Sequence, residues 1–183
     1  MESVGRIFVA AGLSPEARVA VGHYLAATTL PGTVVAAEDL HVTLRFLGEV
    51  NSVRYDRLLA ALDETEWPEA FTQRFGGLGA FPHDRKAGVL WIDIVEGSER
   101  LIGLNSLVED ACDRAGLGRE DRPFRPHLTV ARVRPPVDAR PLIERTPPLR
   151  TSSVLRWVVV LRSRLDGSKP RYEPLEAFPL AGR

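Results

Sequence analysis

The 183-residue chain holds a single cysteine, Cys112, so no internal disulfide can staple it and a reducing, cytoplasmic setting is the expectation. Cys112 falls in an Ala/Leu/Val-rich helical stretch, which reads as a buried structural thiol rather than a nucleophile. Lysine is almost missing: only Lys86 and Lys169 interrupt an otherwise arginine-based set of cations. Arg is the better planar fork for phosphate, and the same bias also follows from a GC-rich genome. Excess charge of either sign is absent, since Lys+Arg and Asp+Glu both number 24. That excludes a bulk electrostatic binder of nucleic acid and leaves a local basic groove open. No apolar run approaches the ~20 residues of a membrane span, and no basic segment followed by a long apolar run opens the chain. The sequence offers no convincing metal site, so neither metal nor cofactor is expected.

What is present is one four-residue word, twice. His41-Val42-Thr43-Leu44 and His127-Leu128-Thr129-Val130 each begin an apolar stretch that predicts a strand, over residues 41–47 and 127–133. Strand side chains alternate between faces, so His and Thr two apart share one. Two such strands facing each other would gather an acid, a base and two hydroxyls around one small cleft. An imidazole near pKa 6.5 is available in either form at neutral pH. One His could take a proton from water attacking phosphorus while the other protonates the departing oxygen of a strained 2′,3′-cyclic ester. The Thr hydroxyls would hold the non-bridging oxygens. His23, mid-helix, and His83, in a polar turn, have no Thr two residues on and serve as internal controls.

The rest of the chain reads as strands and helices in alternation. Residues 6–11 predict a buried strand. Ser14-Pro15-Glu16 predicts a capped helix to about Thr28, with Val19 and Leu25 on its apolar face. Residues 33–36 predict a short strand, and Gly48 the end of the first motif strand. Asn51 or Ser52 caps a helix to about Glu64. Residues 70–75 look extended, 76–82 loop-like, and 89–95 strand. Ser98 caps a helix ended by Gly116. The second motif strand follows the stiff segment 121–126 and ends at Arg134-Pro135-Pro136; residues 139–145 form a short helix. Residues 154–161 predict one long strand, 165–168 a hairpin turn, and 171–178 a last strand. Apolar strand, helix and motif strand occur in both halves, a weak internal duplication. The fold expected is α+β: bilobal, two largely antiparallel sheets facing a central cleft with helices outside, over 1–183 as a single domain.

Four segments together resemble the two-histidine (2H) phosphoesterase superfamily. They are His41-Val-Thr-Leu, Arg45-Phe46-Leu47-Gly48, Phe124-Arg125-Pro126-His127-Leu-Thr-Val and Ala131-Arg132. More narrowly they resemble the RNA 2′,3′-cyclic phosphodiesterases long labelled 2′-5′ RNA ligases. Gly77-Leu78-Gly79-Ala80-Phe81-Pro82 is similar to a habitual loop of that family. The resemblance implies metal-free hydrolysis of RNA 2′,3′-cyclic phosphate ends to 2′-phosphates. It implies His41 as proton donor, His127 as acceptor, and Thr43, Thr129 and Arg132 on the phosphate. Phe46 is a candidate base contact. Strict alternation turns Arg132 away from His127, so its role requires a local bulge. The chain departs from the family where an aromatic often precedes the first motif; Thr33-Val34-Val35-Ala36 stands there. Other expectations are a monomer with no obligate protein partner and no membrane contact. The alternatives are 2′-5′ ligation, a cyclic phosphodiesterase acting on a small nucleotide, and a non-catalytic RNA-end binding module.

Overall fold

A computed structural model describes residues 2–166 and 169–182. Strand β1 (Ser3–Gly12) leads through helix α1 (Pro15–Ala27) to β2 (Thr33–Val34), a 3-10 turn (Ala37–Asp39) and β3 (His41–Asn51). Helix α2 (Ser52–Asp63), β4 (Phe71–Phe81), a second 3-10 turn (Asp84–Lys86), β5 (Ala87–Glu96) and α3 (Ser98–Arg114) follow. The chain closes with β6 (His127–Val137), α4 (Arg140–Arg145), β7 (Ser152–Leu155), β8 (Trp157–Asp166) and β9 (Lys169–Pro179). One sheet has the order β3-β1-β8-β9 and the other β2-β6-β5-β4-β7, with antiparallel neighbours throughout. This is the α+β architecture expected, and the repeat is visible in it. β1 pairs with motif strand β3 as β5 pairs with motif strand β6.

Local chemistry accounts for the frame. Ser14 accepts from the Ala17 N–H and Pro15 opens α1, a cap worth about 1 kcal/mol. Asn51 caps α2 by accepting from the Arg54 N–H. Alternation on β1 sends Ile7, Val9 and Ala11 into the common apolar core and leaves Arg6, Phe8 and Ala10 on the opposite face. Cys112 is buried in that core, and burial pushes its thiol up to about 12, so it is the inert structural thiol expected.

Several sequence expectations require correction. Gly48 does not end β3: it takes φ +69° in a register shift opposite Ile7 and Phe8, and the strand continues to Asn51. The glycine-rich segment 76–82 is not a loop but mostly strand. Gly76 and Gly77 supply a bulge, and a Cβ at Gly79 would run into the indole of Trp91. The second motif strand runs through Pro135 and Pro136 to Val137. The run 154–161 is two strands in different sheets. Alternation fails at Arg156 and Trp157, both exposed, and there the chain crosses from one sheet to the other. Val19 is exposed, and Ala17, Val21 and Leu25 form the buried face of α1. Gly97, not Ser98, occupies the N-cap of α3; Ser98 instead bonds back to the Ile94 carbonyl. The turn expected at 165–168 includes Gly167 and Ser168, which lie outside the described residues.

Candidate active site

The two motif strands meet across the gap between the sheets. Each opens on its histidine, and each histidine is set by the same local bond. The Nδ1 of His41 lies 2.6 Å from the Asp39 carbonyl, and the Nδ1 of His127 lies 2.7 Å from the Arg125 carbonyl. A carbonyl only accepts, so Nδ1 carries the proton in both rings and the Nε2 lone pair is left for chemistry. In His41 that lone pair faces the Thr43 hydroxyl at 3.1 Å.

The same irregularity then follows both motifs. β1 and β3 pair Val9 with Arg45 and Ala10 with Thr43, so Leu44 is an extra residue. β5 and β6 pair Leu90 with Ala131 and Trp91 with Thr129, so Val130 is extra. A single inserted residue reverses the parity of everything after it. His127 and Thr129 share a face with Leu128 and Val130 buried behind them; after the bulge Ala131 is buried and Arg132 and Arg134 are exposed. The bulge that Arg132 required is therefore present. In β3 it has the same effect, turning Arg45 inward and Phe46 outward. Neighbours hold both bulges: Asn105 of α3 donates to the Leu44 carbonyl at 2.8 Å, and the Val35 N–H donates to the Val130 carbonyl at 2.8 Å.

A cavity of about 710 Å³ is lined by His41, Thr43, Phe46 and Arg132, joined by Arg6, Phe8, Thr33, Arg134 and Tyr172 among others. Among the described residues no carboxylate lines it, so a chain of zero net charge has a locally cationic cleft. His127 and Thr129 do not line this cavity. They stand on the β6 face that Arg132 shares, with the His127 ring edge-on to Phe81 at 4.9 Å and 6.1 Å from Trp91. His23 and His83 are exposed and lie outside the cavity.

Both imidazoles are held neutral. His41 touches Phe8 at 4.9 Å and Tyr172 at 5.0 Å. Although its edge reaches solvent, desolvation leads in lowering its pKa to about 4, with Arg18, Arg132 and His127 adding repulsion against the bond to Asp39. His127 is lowered as well, chiefly by burial and then by Arg125 and Arg132. That Arg132 acts on both rings, and His127 on His41, ties the three into one electrostatic unit. An anion among them would reverse the balance and raise the proton affinity of both rings.

The sequence did not single out Arg6, Phe8, Arg134 or Tyr172. Phe8 could have been found from alternation on β1; Tyr172 arrives from the far end of the chain and leaves no local signal. The aromatic missing at Thr33-Val34-Val35-Ala36 has a spatial substitute, because Phe8, Phe46 and Tyr172 supply the aromatic wall. Arg125 stacks its guanidinium 4.7 Å from the Trp91 ring and 5.6 Å from Phe81. Among the described residues no group of three or more His, Cys, Asp or Glu is arranged to hold a metal ion, and no helix is long and apolar enough to cross a membrane.

Comparison with known proteins places this geometry. Residues 16–165 match the family model of the 2′-5′ RNA ligase superfamily. The chain is 32% identical over 185 residues to an RNA 2′,3′-cyclic phosphodiesterase of Geobacillus stearothermophilus, covering 96% of this chain and 57% of that longer relative. It is 30% identical over 183 residues to the RNA 2′,3′-cyclic phosphodiesterase of Escherichia coli K12, covering 98% and 99% of the two chains. The crystal structure of E. coli LigT complexed with 3′-AMP superposes with a TM-score of 0.79 at 28% identity, covering 98% and 99%. With the family model spanning most of the chain and its paired His-x-Thr strands in place, the chain belongs to the 2′-5′ RNA ligase superfamily.

Proposed function

We propose that this protein is a hydrolase that opens RNA 2′,3′-cyclic phosphate ends to 2′-phosphates, with two histidines as acid and base. The observation that carries the reading is the pair of matching bulges. They bring Arg132 to the face of His127 and Thr129, and Phe46 to the cleft that holds His41 and Thr43, with no carboxylate in the lining among the described residues. The names of the relatives point the same way.

His127 takes a proton from water through its free Nε2 as the oxygen attacks phosphorus. His41, protonated at Nε2 in the complex, gives that proton to the 3′ oxygen as the P–O3′ bond breaks. One P–O bond forms and one breaks, leaving a 2′-phosphate and a 3′-hydroxyl. Thr43, Thr129 and Arg132 hold the non-bridging oxygens, and Phe46 is a platform for the terminal base. The substrate's own anion raises His41 from about 4 toward the range where it can act as an acid. The assignment of donor and acceptor follows the family resemblance, because both rings present the same Nδ1–H and an unprotonated Nε2. Residues 1–183 act as one bilobal unit, a cytoplasmic monomer that recognises RNA ends without a metal.

The test is product analysis on an oligonucleotide ending in 2′,3′-cyclic phosphate, with wild type, His41→Ala and His127→Ala. The expected result is a 2′-phosphate product from wild type in EDTA, and at least a 10²-fold loss in each variant, the lower range for a removed acid or base. Near-wild-type turnover in either variant overturns the mechanism, and a 3′-phosphate product reverses the leaving group. Joined 2′-5′ products identify ligation, and retention without turnover identifies a binding module.

A further inference from the structure

Through the bulge that follows each motif, the internal repeat makes the two lips of the cleft equivalent in backbone and different in chemistry. Five residues after its histidine, the β3 lip carries Phe46 and the β6 lip carries Arg132. Beyond Phe46 a second register shift, at Leu47, pairs Gly48 with core-facing Ile7 and takes β3 off the cleft, whereas the β6 lip offers a second cleft-lining cation, Arg134. The cations in the lining are differently committed. Arg6 places its guanidinium 5.5 Å over the Phe46 ring and belongs to the aromatic lip. Arg134 has no hydrogen bond, ion pair or ring contact among the described residues, although it is exposed in the cleft. Two residues along an extended strand separate it from Arg132 by about 6.6 Å, the scale of one ribose unit between consecutive phosphates.

We propose that Arg134 binds the phosphodiester on the 5′ side of the terminal nucleotide. The cleft then reads two phosphates in register, the cyclic one beside Arg132 and the internucleotide one beside Arg134, while the base faces the Phe8–Phe46 lip. The reading rests on the cyclic-phosphodiesterase function proposed above and deepens it. It makes the substrate class the end of a polynucleotide rather than a free cyclic mononucleotide. A free cyclic mononucleotide with a 5′-hydroxyl has nothing for Arg134 to hold. The 24 carboxylates elsewhere cancel the net charge, so discrimination comes from this local pair of cations rather than from a general field.

Steady-state kinetics on three substrates tests this: a nucleoside 2′,3′-cyclic phosphate with a 5′-hydroxyl, the same nucleotide with a 5′-phosphate, and a dinucleotide ending in the cyclic phosphate. Wild type is expected to prefer the latter two. In Arg134→Gln, the ratio of kcat/KM for the dinucleotide to that for the 5′-hydroxyl mononucleotide falls about tenfold, as for one charge-assisted contact. Arg134→Lys recovers part of it. The salt dependence of log KM for the dinucleotide loses about 0.7 of slope, the share of one single-strand phosphate contact. Arg132→Gln lowers turnover of all three substrates together and leaves the ratio in place. An Arg134→Gln ratio equal to wild type overturns the assignment. So does a preference for the dinucleotide that the 5′-phosphorylated mononucleotide does not share, since the preceding nucleoside would then be what is read. A wild type active on none of the three overturns the phosphodiesterase reading and this assignment with it.

Discussion

The neutral state of His41 links stability to pH in a way that can be measured. The ring has an ordinary pKa of 6.5 in the unfolded chain and is held at about 4 in the fold. A group whose folded pKa is depressed binds more protons when unfolded, so stability is greatest above pH 6.5 and falls as pH drops through the window from 6.5 to about 4. At pH 5 the unfolded imidazole is almost wholly charged and the native one almost wholly neutral. The ratio of the two binding polynomials is about thirtyfold, or about 2 kcal/mol. His41→Asn keeps a donor toward the Asp39 carbonyl and removes the titration. Urea unfolding of wild type and His41→Asn at pH 7.5 and pH 5 is the assay. The wild type should lose about 2 kcal/mol more than the variant over that interval. Carboxylates whose pKa values are lowered in the fold are common to both proteins and cancel in the difference. An equal loss in the two would refute the claim that burial against Phe8 and Tyr172 keeps this ring neutral.

Two further expectations concern how the site is held. Gly79→Ala should cost about 1–3 kcal/mol in urea unfolding, because the indole of Trp91 must move off the strand to admit a methyl group. It should also lower turnover, since Trp91 packs beside His127. Arg45, turned inward by the β3 bulge, lies 3.5 Å from Glu109 and 3.4 Å from Glu120. Arg45→Ala should therefore destabilise by about 3–5 kcal/mol by removing the cation beside buried Glu109, which keeps only the Glu120 N–H, and the double change with Glu109→Gln should recover part of that loss in the same measurement.

Much of this protein is written locally. The caps at Ser14 and Asn51, the alternation on β1, and the two His-x-Thr words follow from neighbours in the chain, and each was legible because its physics is short-range. The glycine-rich segment 76–82 shows where that logic fails. Gly76 and Gly79 look like loop residues, but side chains from β5, Val95 and Trp91, cross them, and that crossing exists only once the sheet has formed. The split of residues 154–161 is similar. A continuous β-prone run carries no statement of which sheet each half joins, and two consecutive exposed residues decide it only when both sheets are present.

At the candidate site, the sequence by itself determined two imidazoles, each with a hydroxyl on its own face two residues on. The tertiary structure decided the rest. Matching bulges, one secured by Asn105 and the other by the Val35 amide, turn Phe46 and Arg132 into the cleft. The end of the chain returns to lay Tyr172 against His41. A bulge changes the face of every residue after it without changing the sequence pattern before it. Strand parity alone therefore yields the histidines and threonines and leaves the cations and aromatics to the fold.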